Sequence, residues 1–221
     1  MQIKKQAQRR RQSETVMRVG TLNIGSMTGR GREVADMMKR RRVDILCVQE
    51  TRWKGEKARE LGDGYKLYFS GANKEGRNGV GIVVSEGLKD KVLEVFRRND
   101  RIMKMRLSLG EEQIVVISAY APQVGCRNEE KEEFWNALDE EMRNLEGSEK
   151  VIVGGDLNGH IGEDGVGYRR VHGGHGVGQI NEEGWRIMDF AMVFDMAIVN
   201  SFFNKREENL ITYKWKQRFS D

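Results

Sequence analysis

Apolar positions along the chain fall into short runs separated by glycine, asparagine and charged residues. Val16-Met-Arg-Val-Gly-Thr-Leu-Asn-Ile-Gly25 alternates apolar and polar residues and ends in a Gly/Ser/Thr turn, which predicts a first strand. Over Glu33 to Arg42, Val34, Met37 and Met38 share one face against charged neighbours, the pattern of a short amphipathic helix. Val43-Asp-Ile-Leu-Cys-Val48 is almost continuously apolar, as in a strand covered on both faces. Strand, helix, strand is the grammar of an α/β fold.

Tyr65 to Ser70, Val80 to Ser85, Ile102 to Leu107 and Gln113 to Tyr120 are β-branched or alternating runs between turn residues, and predict a meander of strands. Phe134, Trp135, Leu138, Met142 and Leu145 are near helical spacing in Lys131 to Leu145, and a buried strand Val151-Ile-Val153 follows, running into Gly154-Gly155. A further helix is predicted over Asn181 to Val193, then strands over Met196 to Asn200 and Leu210 to Trp215. Trp135 and Trp185 have apolar neighbours at helical spacing, so both are expected in the core. Gly159 to Gly178 reads as a long surface loop, of the kind that is functional or mobile. No Gly-x-x-x-x-Gly-Lys-Ser/Thr occurs, which disfavours a nucleotide P-loop.

Length and composition narrow the class. The 221 residues suit one sizeable α/β domain, and no apolar run nears the roughly 18 to 20 residues that span a bilayer. The first residues are charged with no apolar stretch behind them, unlike a secretory signal, so the expected location is intracellular, nuclear or cytoplasmic. Cys47 and Cys126 form neither a disulfide framework nor a zinc spacing. Nothing points to a protein partner or an oligomer. The net charge of +4 resides in one place: residues 1 to 18 hold Lys4, Lys5, Arg9, Arg10, Arg11 and Arg18 against Glu14 alone, leaving the remainder slightly acidic. The expected division is a basic flexible arm over 1–15 and one domain over 16–221. Such an arm either grips phosphate backbones, serves as a nuclear address or is a plain solvated tail.

Candidate chemistry gathers at strand ends, where the backbone is rigid and side chains can converge on a cleft. Asn23, Glu50, Tyr120, Asp156 and Asn158 all stand there. A hard oxygen ligand such as Glu50 suits magnesium, which takes one or two protein carboxylates and keeps several waters. Asp156 is placed to orient or deprotonate a water; Asn23, Asn158 and the Tyr120 hydroxyl are suited to positioning it or donating to phosphate oxygens. Taken singly, Asp and Asn after a strand are commonly turn formers and helix caps. His160 reads as a hydrated loop residue, and His172 and His175 lack the cysteine or acidic partners of a zinc site.

Five segments in order, Thr21-Leu-Asn-Ile24, Val48-Gln-Glu-Thr51, Gly79-Val-Gly-Ile82, Ser118-Ala-Tyr-Ala-Pro122 and Gly154-Gly-Asp-Leu-Asn158, resemble the endonuclease/exonuclease/phosphatase superfamily. Asp156-Leu-Asn-Gly-His-Ile-Gly162, His172 to Gly178, Asn181-Glu-Glu-Gly-Trp-Arg186, Phe190 and Asn200-Ser-Phe-Phe203 are most similar to its retrotransposon-type endonuclease domains and craniofacial development protein 2-like members. The resemblance implies a four-layer, deoxyribonuclease-I-like α/β sandwich of two facing mixed β-sheets with outer helices. It implies Mg2+, with Mn2+ as a substitute, held by Glu50 and supported by Asn23. Asp156, Asn158 and Tyr120 are then catalytic, and Tyr120, Asn158 and Asn181 bind a substrate, expected to be DNA.

The family's later motifs, Ile/Leu-Asp-Tyr and a Ser-Asp-His whose His lies against the scissile phosphate, do not occur before Asp221; Phe219-Ser-Asp221 stands too close to Leu210–Trp215 to be the second. The expectation is therefore a fold without its last strands and weak or no cleavage by these residues alone. Two other readings stay open: a catalytically silent module that binds nucleic acid or protein, and a phosphatase of a small phosphorylated molecule.

Overall fold

The computed structural model describes residues 16–147 and 149–204. The chain begins with β1 (Val19–Asn23), α1 (Gly31–Arg41) and β2 (Ile45–Gln49), with β1 and β2 parallel. β3 (Lys57–Gly62), β4 (Tyr65–Phe69) and β5 (Val80–Val84) complete a mixed sheet in the order β1-β2-β5-β4-β3. A 3-10 helix, Glu86–Lys91, leads to a second mixed sheet of β6 (Val92–Arg97), β7 (Ile102–Leu109), β8 (Glu112–Tyr120) and β9 (Lys150–Asp156), in that order. The crossover α2 (Asn128–Arg143) makes β8 and β9 parallel, and α3 (Glu182–Val193) follows a long irregular segment.

The period-two pattern decides which face each residue covers, and the faces stack as four layers. Ile45, Cys47, Val80, Ile82 and Val84 point to the second sheet and meet Met103, Met105, Leu107, Ile114 and Val116. On the opposite face of the first sheet, Leu46, Val48, Leu67 and Val83 receive Val34, Ala35 and Met38 of α1. Behind the second sheet, Ile102, Val115, Ile117 and Ala119 receive Phe134, Leu138 and Met142 of α2. Each such side chain, once buried, contributes about 1.5–3 kcal/mol, which makes the two β2 faces and the two β8 faces the main determinants of the stack. Local signals agree: α1 carries Glu33 in its first turn and Lys39, Arg40 and Arg41 in its last, matching the helix dipole, and stops at Arg42, at φ 54°.

Several expectations need correction. The predicted meander divides between the sheets, β4 and β5 in one and β7 and β8 in the other. β3 and β6 had no visible pattern, because Lys57 to Glu60 are all exposed and β6 has no fully buried position. Met196 to Asn200 is not a strand: the Ile198 amide makes a lone bond to the Val171 carbonyl, and Val199–Phe202 is a 3-10 turn tied by Ser201. The glycine-rich stretch is not purely superficial, since Val171 and His172 within it are buried against α3 and its surroundings. Trp135 packs into the core as expected, but Trp185 is 45% exposed and lies beside Tyr168. The basic arm 1–15 and the predicted strand Leu210–Trp215 lie outside the described residues. No described helix is long and apolar enough to cross a membrane.

Candidate active site

At one end of the sandwich the layer between the sheets turns from apolar to polar. Along β8 the inward positions run Ile114, Val116, Ser118, Tyr120, and along β2 they run Ile45, Cys47, Gln49. Gln49 and Ser118 are wholly buried and bonded to each other, while Ser118 also donates to the Val48 carbonyl. This polar floor joins the sheets directly below the candidate residues.

Gly154 and Gly155 explain how β9 reaches the cluster. A Cβ on Gly154 would sit 2.7 Å from the Cys47 Sγ of the facing sheet, and one on Gly155 would strike the Ala119 carbonyl. Two glycines therefore let β9 press against both neighbours and deliver Asp156 opposite Tyr120, its register partner on β8.

Asn23, at the end of β1, is the bridge. Its Nδ2 donates to Glu50 Oε1 at 3.0 Å and to Asp156 Oδ2 at 3.0 Å, while its Oδ1 accepts from the Gly25 amide. One amide thus links carboxylates held by different sheets. Glu50 Oε1 also accepts from the Tyr120 hydroxyl at 2.9 Å, and Oε2 accepts from Arg52 at 2.5 Å. Asp156 Oδ1 accepts from the Asn158 amide at 3.1 Å, and the Asn158 side chain donates to the Ala121 carbonyl at 2.8 Å. Glu50, Arg52 and Asn158 all have φ between 50° and 57°, a costly conformation for such residues that concentrates at functional sites.

The surroundings fix the charge states. Burial acts to raise the Glu50 carboxyl, but hydrogen bonds from Arg52, Asn23 and Tyr120, with the charge of Arg52, hold it below its ordinary value. Burial, then the bond to Glu50 and its charge, push Tyr120 up to about 12. Near neutrality the site therefore presents an ionised Glu50 and a neutral phenol that donates to it.

Five of the six residues singled out from the sequence meet here. Asn181 does not: it caps α3, its Oδ1 accepting from Gly184 N at 2.8 Å and His160 N at 2.9 Å. Its signal, an Asn just before Glu182 and Glu183 at a helix start, is equally the signal of an N-cap. Arg52 was missed, since an exposed arginine two residues past a glutamate is ordinary in sequence. Asn78 was missed as well. Its backbone carbonyl accepts from Arg52 N, and its side chain reaches Asp100 at 2.6 Å, which braces the Glu50 turn against the second sheet.

The carboxylate oxygens of Glu50 and Asp156 are the kind of donor a hard cation takes, while Asn23 turns its Nδ2 toward them and its Oδ1 toward the Gly25 amide.

Comparison with known proteins agrees with the geometry. Craniofacial development protein 2 from Bos taurus is 27% identical over 196 residues, covering 88% of this chain and 33% of that protein, and the Tragulus javanicus protein is likewise 27% identical, with 34% of it covered. The chain thus spans about a third of the length of these curated relatives. An AP endonuclease from Archaeoglobus fulgidus superposes with a TM-score of 0.57 at 22% identity, covering 80% of this chain and 70% of the other. The endonuclease domain of TRAS1, a telomere-specific non-LTR retrotransposon, gives 0.55 at 16%, covering 81% and 71%. A 3' phosphatase from Neisseria bound to a product DNA hairpin gives 0.52 at 20%, covering 69% and 63%. At such identities these structures share the fold, two mixed sheets with outer helices. The model of the Endonuclease/Exonuclease/phosphatase family matches residues 20–214, which include all five of these residues, and the chain belongs to that family.

Proposed function

We propose that residues 16–221 form a phosphodiesterase domain that hydrolyses DNA by metal-assisted attack of water, in the retrotransposon-type endonuclease lineage. The observation that carries this reading is the Asn23 amide joining Glu50 and Asp156 beside the Tyr120 hydroxyl. A magnesium or manganese ion bound at Glu50 would polarise a phosphoryl oxygen and stabilise the leaving oxyanion.

The protein's own groups do the rest. Asn23 keeps the two carboxylates at a fixed separation, so neither has to be ordered during reaction. Asp156 accepts a proton from the attacking water as the new P–O bond forms and the bond to the leaving oxygen breaks. Asn158 holds Asp156 in place through its backbone amide. Tyr120, a phenol near neutrality, donates to a phosphate oxygen when substrate displaces its bond to Glu50. A cation held by Glu50 would take the place of Arg52 at Oε2, and the Arg52 guanidinium would then be available to the phosphate. Asn181, by its capping role, serves the site through the loop that follows Asn158.

Structural neighbours described as an AP endonuclease and as a phosphatase bound to a DNA hairpin favour DNA over a small phosphorylated molecule. We place the protein inside the cell, with residues 1–15 as a further phosphate contact.

The test is nicking of supercoiled DNA by the 221-residue chain in magnesium, with Glu50→Gln alongside. Slow nicking, suppressed by EDTA and at least about tenfold above the variant, is expected, a general acid–base or metal contribution being worth about a hundredfold or more at full efficiency. Equal rates in the two proteins would contradict it, and salt-sensitive DNA binding with those equal rates would favour a silent binding module.

A further inference from the structure

We infer that a groove at the outer edge of the first sheet, lined by Trp53, Lys54, Lys57, Ala58, Arg59 and Phe69, is a track for an unpaired nucleic-acid strand. The inference deepens the phosphodiesterase reading and rests on it for the identity of the polyanion. The groove, of about 280 Å³, opens three residues beyond Glu50 and runs along β3, the outer strand of the first sheet. Lys57 to Glu60 are all exposed there.

Charge and shape both match a single strand. From Arg52 to Arg59 the chain carries four cations, Arg52, Lys54, Lys57 and Arg59, against one carboxylate, Glu56. Glu60, the next acid, is engaged by Lys89 at 2.7 Å. Lys57 and Arg59 stand two residues apart on one strand, about 6.7 Å, close to the spacing of successive phosphates in an extended strand. Between these cations lies an aromatic platform. Trp53 is held edge-on against Phe69 with centroids 5.2 Å apart, and the Arg59 guanidinium lies 5.1 Å from the Trp53 ring centre. A base can stack on the partly exposed indole, without sequence preference, once the Arg59 guanidinium moves from the ring to a phosphate.

The platform is rigid. Trp53 O accepts from Ala72 N at 2.8 Å, and Gly55 packs so tightly on Gly71 that a Cβ there would lie 2.8 Å from its backbone. Arg97 from the second sheet donates to the Phe69 carbonyl at 2.9 Å. An unpaired strand would therefore find an ordered cationic groove at the outer edge of the sheet whose β2 leads into Glu50, rather than a loop that must fold around it.

The test is fluorescence anisotropy of labelled oligothymidylate titrated with the 221-residue chain in EDTA, which prevents cleavage, at several salt concentrations. Lys57→Glu with Arg59→Glu should weaken binding at least about tenfold and flatten the log–log salt dependence by more than one unit. Lys91→Glu with Lys150→Glu, an equal charge change at exposed positions elsewhere, should alter affinity less than threefold. Oligothymidylate should quench tryptophan emission, and Trp53→Phe should remove that quenching. Equal losses from both charge reversals, or competition by polyglutamate as strong as by oligothymidylate, would overturn the inference. Glu50→Gln separates the two readings. If groove variants bind normally while nicking still requires Glu50, the track is wrong and the phosphodiesterase stands. If groove variants lose binding while nicking ignores Glu50, the track stands and the catalytic reading falls.

Discussion

Under the proposed function, a metal ion at Glu50 would compete with Arg52, which donates to Glu50 Oε2 at 2.5 Å. Arg52 is half exposed, and an ion pair of that kind is worth only about 0.2–1 kcal/mol. Arg52→Ala is therefore expected to tighten magnesium binding about two- to fivefold by calorimetry while slowing cleavage, because no guanidinium remains to meet the phosphate. Weaker magnesium binding in the variant would mean that Arg52 supports the Glu50 geometry rather than opposing the ion. Glu50, Asn23, Tyr120, Asp156 and Asn158 were legible in the sequence because they stand at the ends of four apolar runs and the five motif segments come in order. The bonds among them were not, since Asn23 and Asp156 lie 133 residues apart and only the folded sheets bring them to 3.0 Å. Asn181 shows the opposite case, a polar residue whose local capping role fully accounts for it.

Strands with two buried faces were readable, and half-exposed edges were not. β2 and β5 are buried at every position, whereas β3 exposes four of its six residues and so hides among loop-like sequence. Element junctions depend on ion pairs that composition cannot locate. Glu149, between α2 and β9, accepts from Arg106 of β7 at 2.5 Å and its side chain is 1% exposed. The Arg106 hydrogen bond, opposed by burial and aided by charge, holds Glu149 below its ordinary carboxylate value. The folded chain thus releases this proton more readily than the unfolded chain. The stabilisation is complete above the unfolded pKa and is lost as pH falls through the folded one. Glu149→Gln should lower the melting temperature near neutrality and shrink the difference from wild type in acid; a difference that does not vary with pH would contradict the assignment.

Taken whole, the molecule closes its two sheets over Cys47, which is fully buried with its thiol pushed up to about 12 by burial. A buried neutral thiol is inert. Iodoacetamide should modify Cys126 alone in the native protein and both cysteines in denaturant; rapid native labelling of Cys47 would mean that the sheets part easily. Alternation predicted an α/β fold, and the stacking of two sheets between outer helices was expected from the family resemblance that the ordered motifs carry. The division of strands between sheets was not, because short antiparallel hairpins look alike whichever sheet they join. That division matters most for function, since Glu50 and Tyr120 come from opposite sheets and share one hydrogen bond. The central claim is that their meeting creates a hard-cation site. Manganese binding followed by electron paramagnetic resonance tests it most directly: one site is expected in the wild type and an affinity at least about tenfold lower in Glu50→Gln, whereas equal binding by both proteins would contradict the claim.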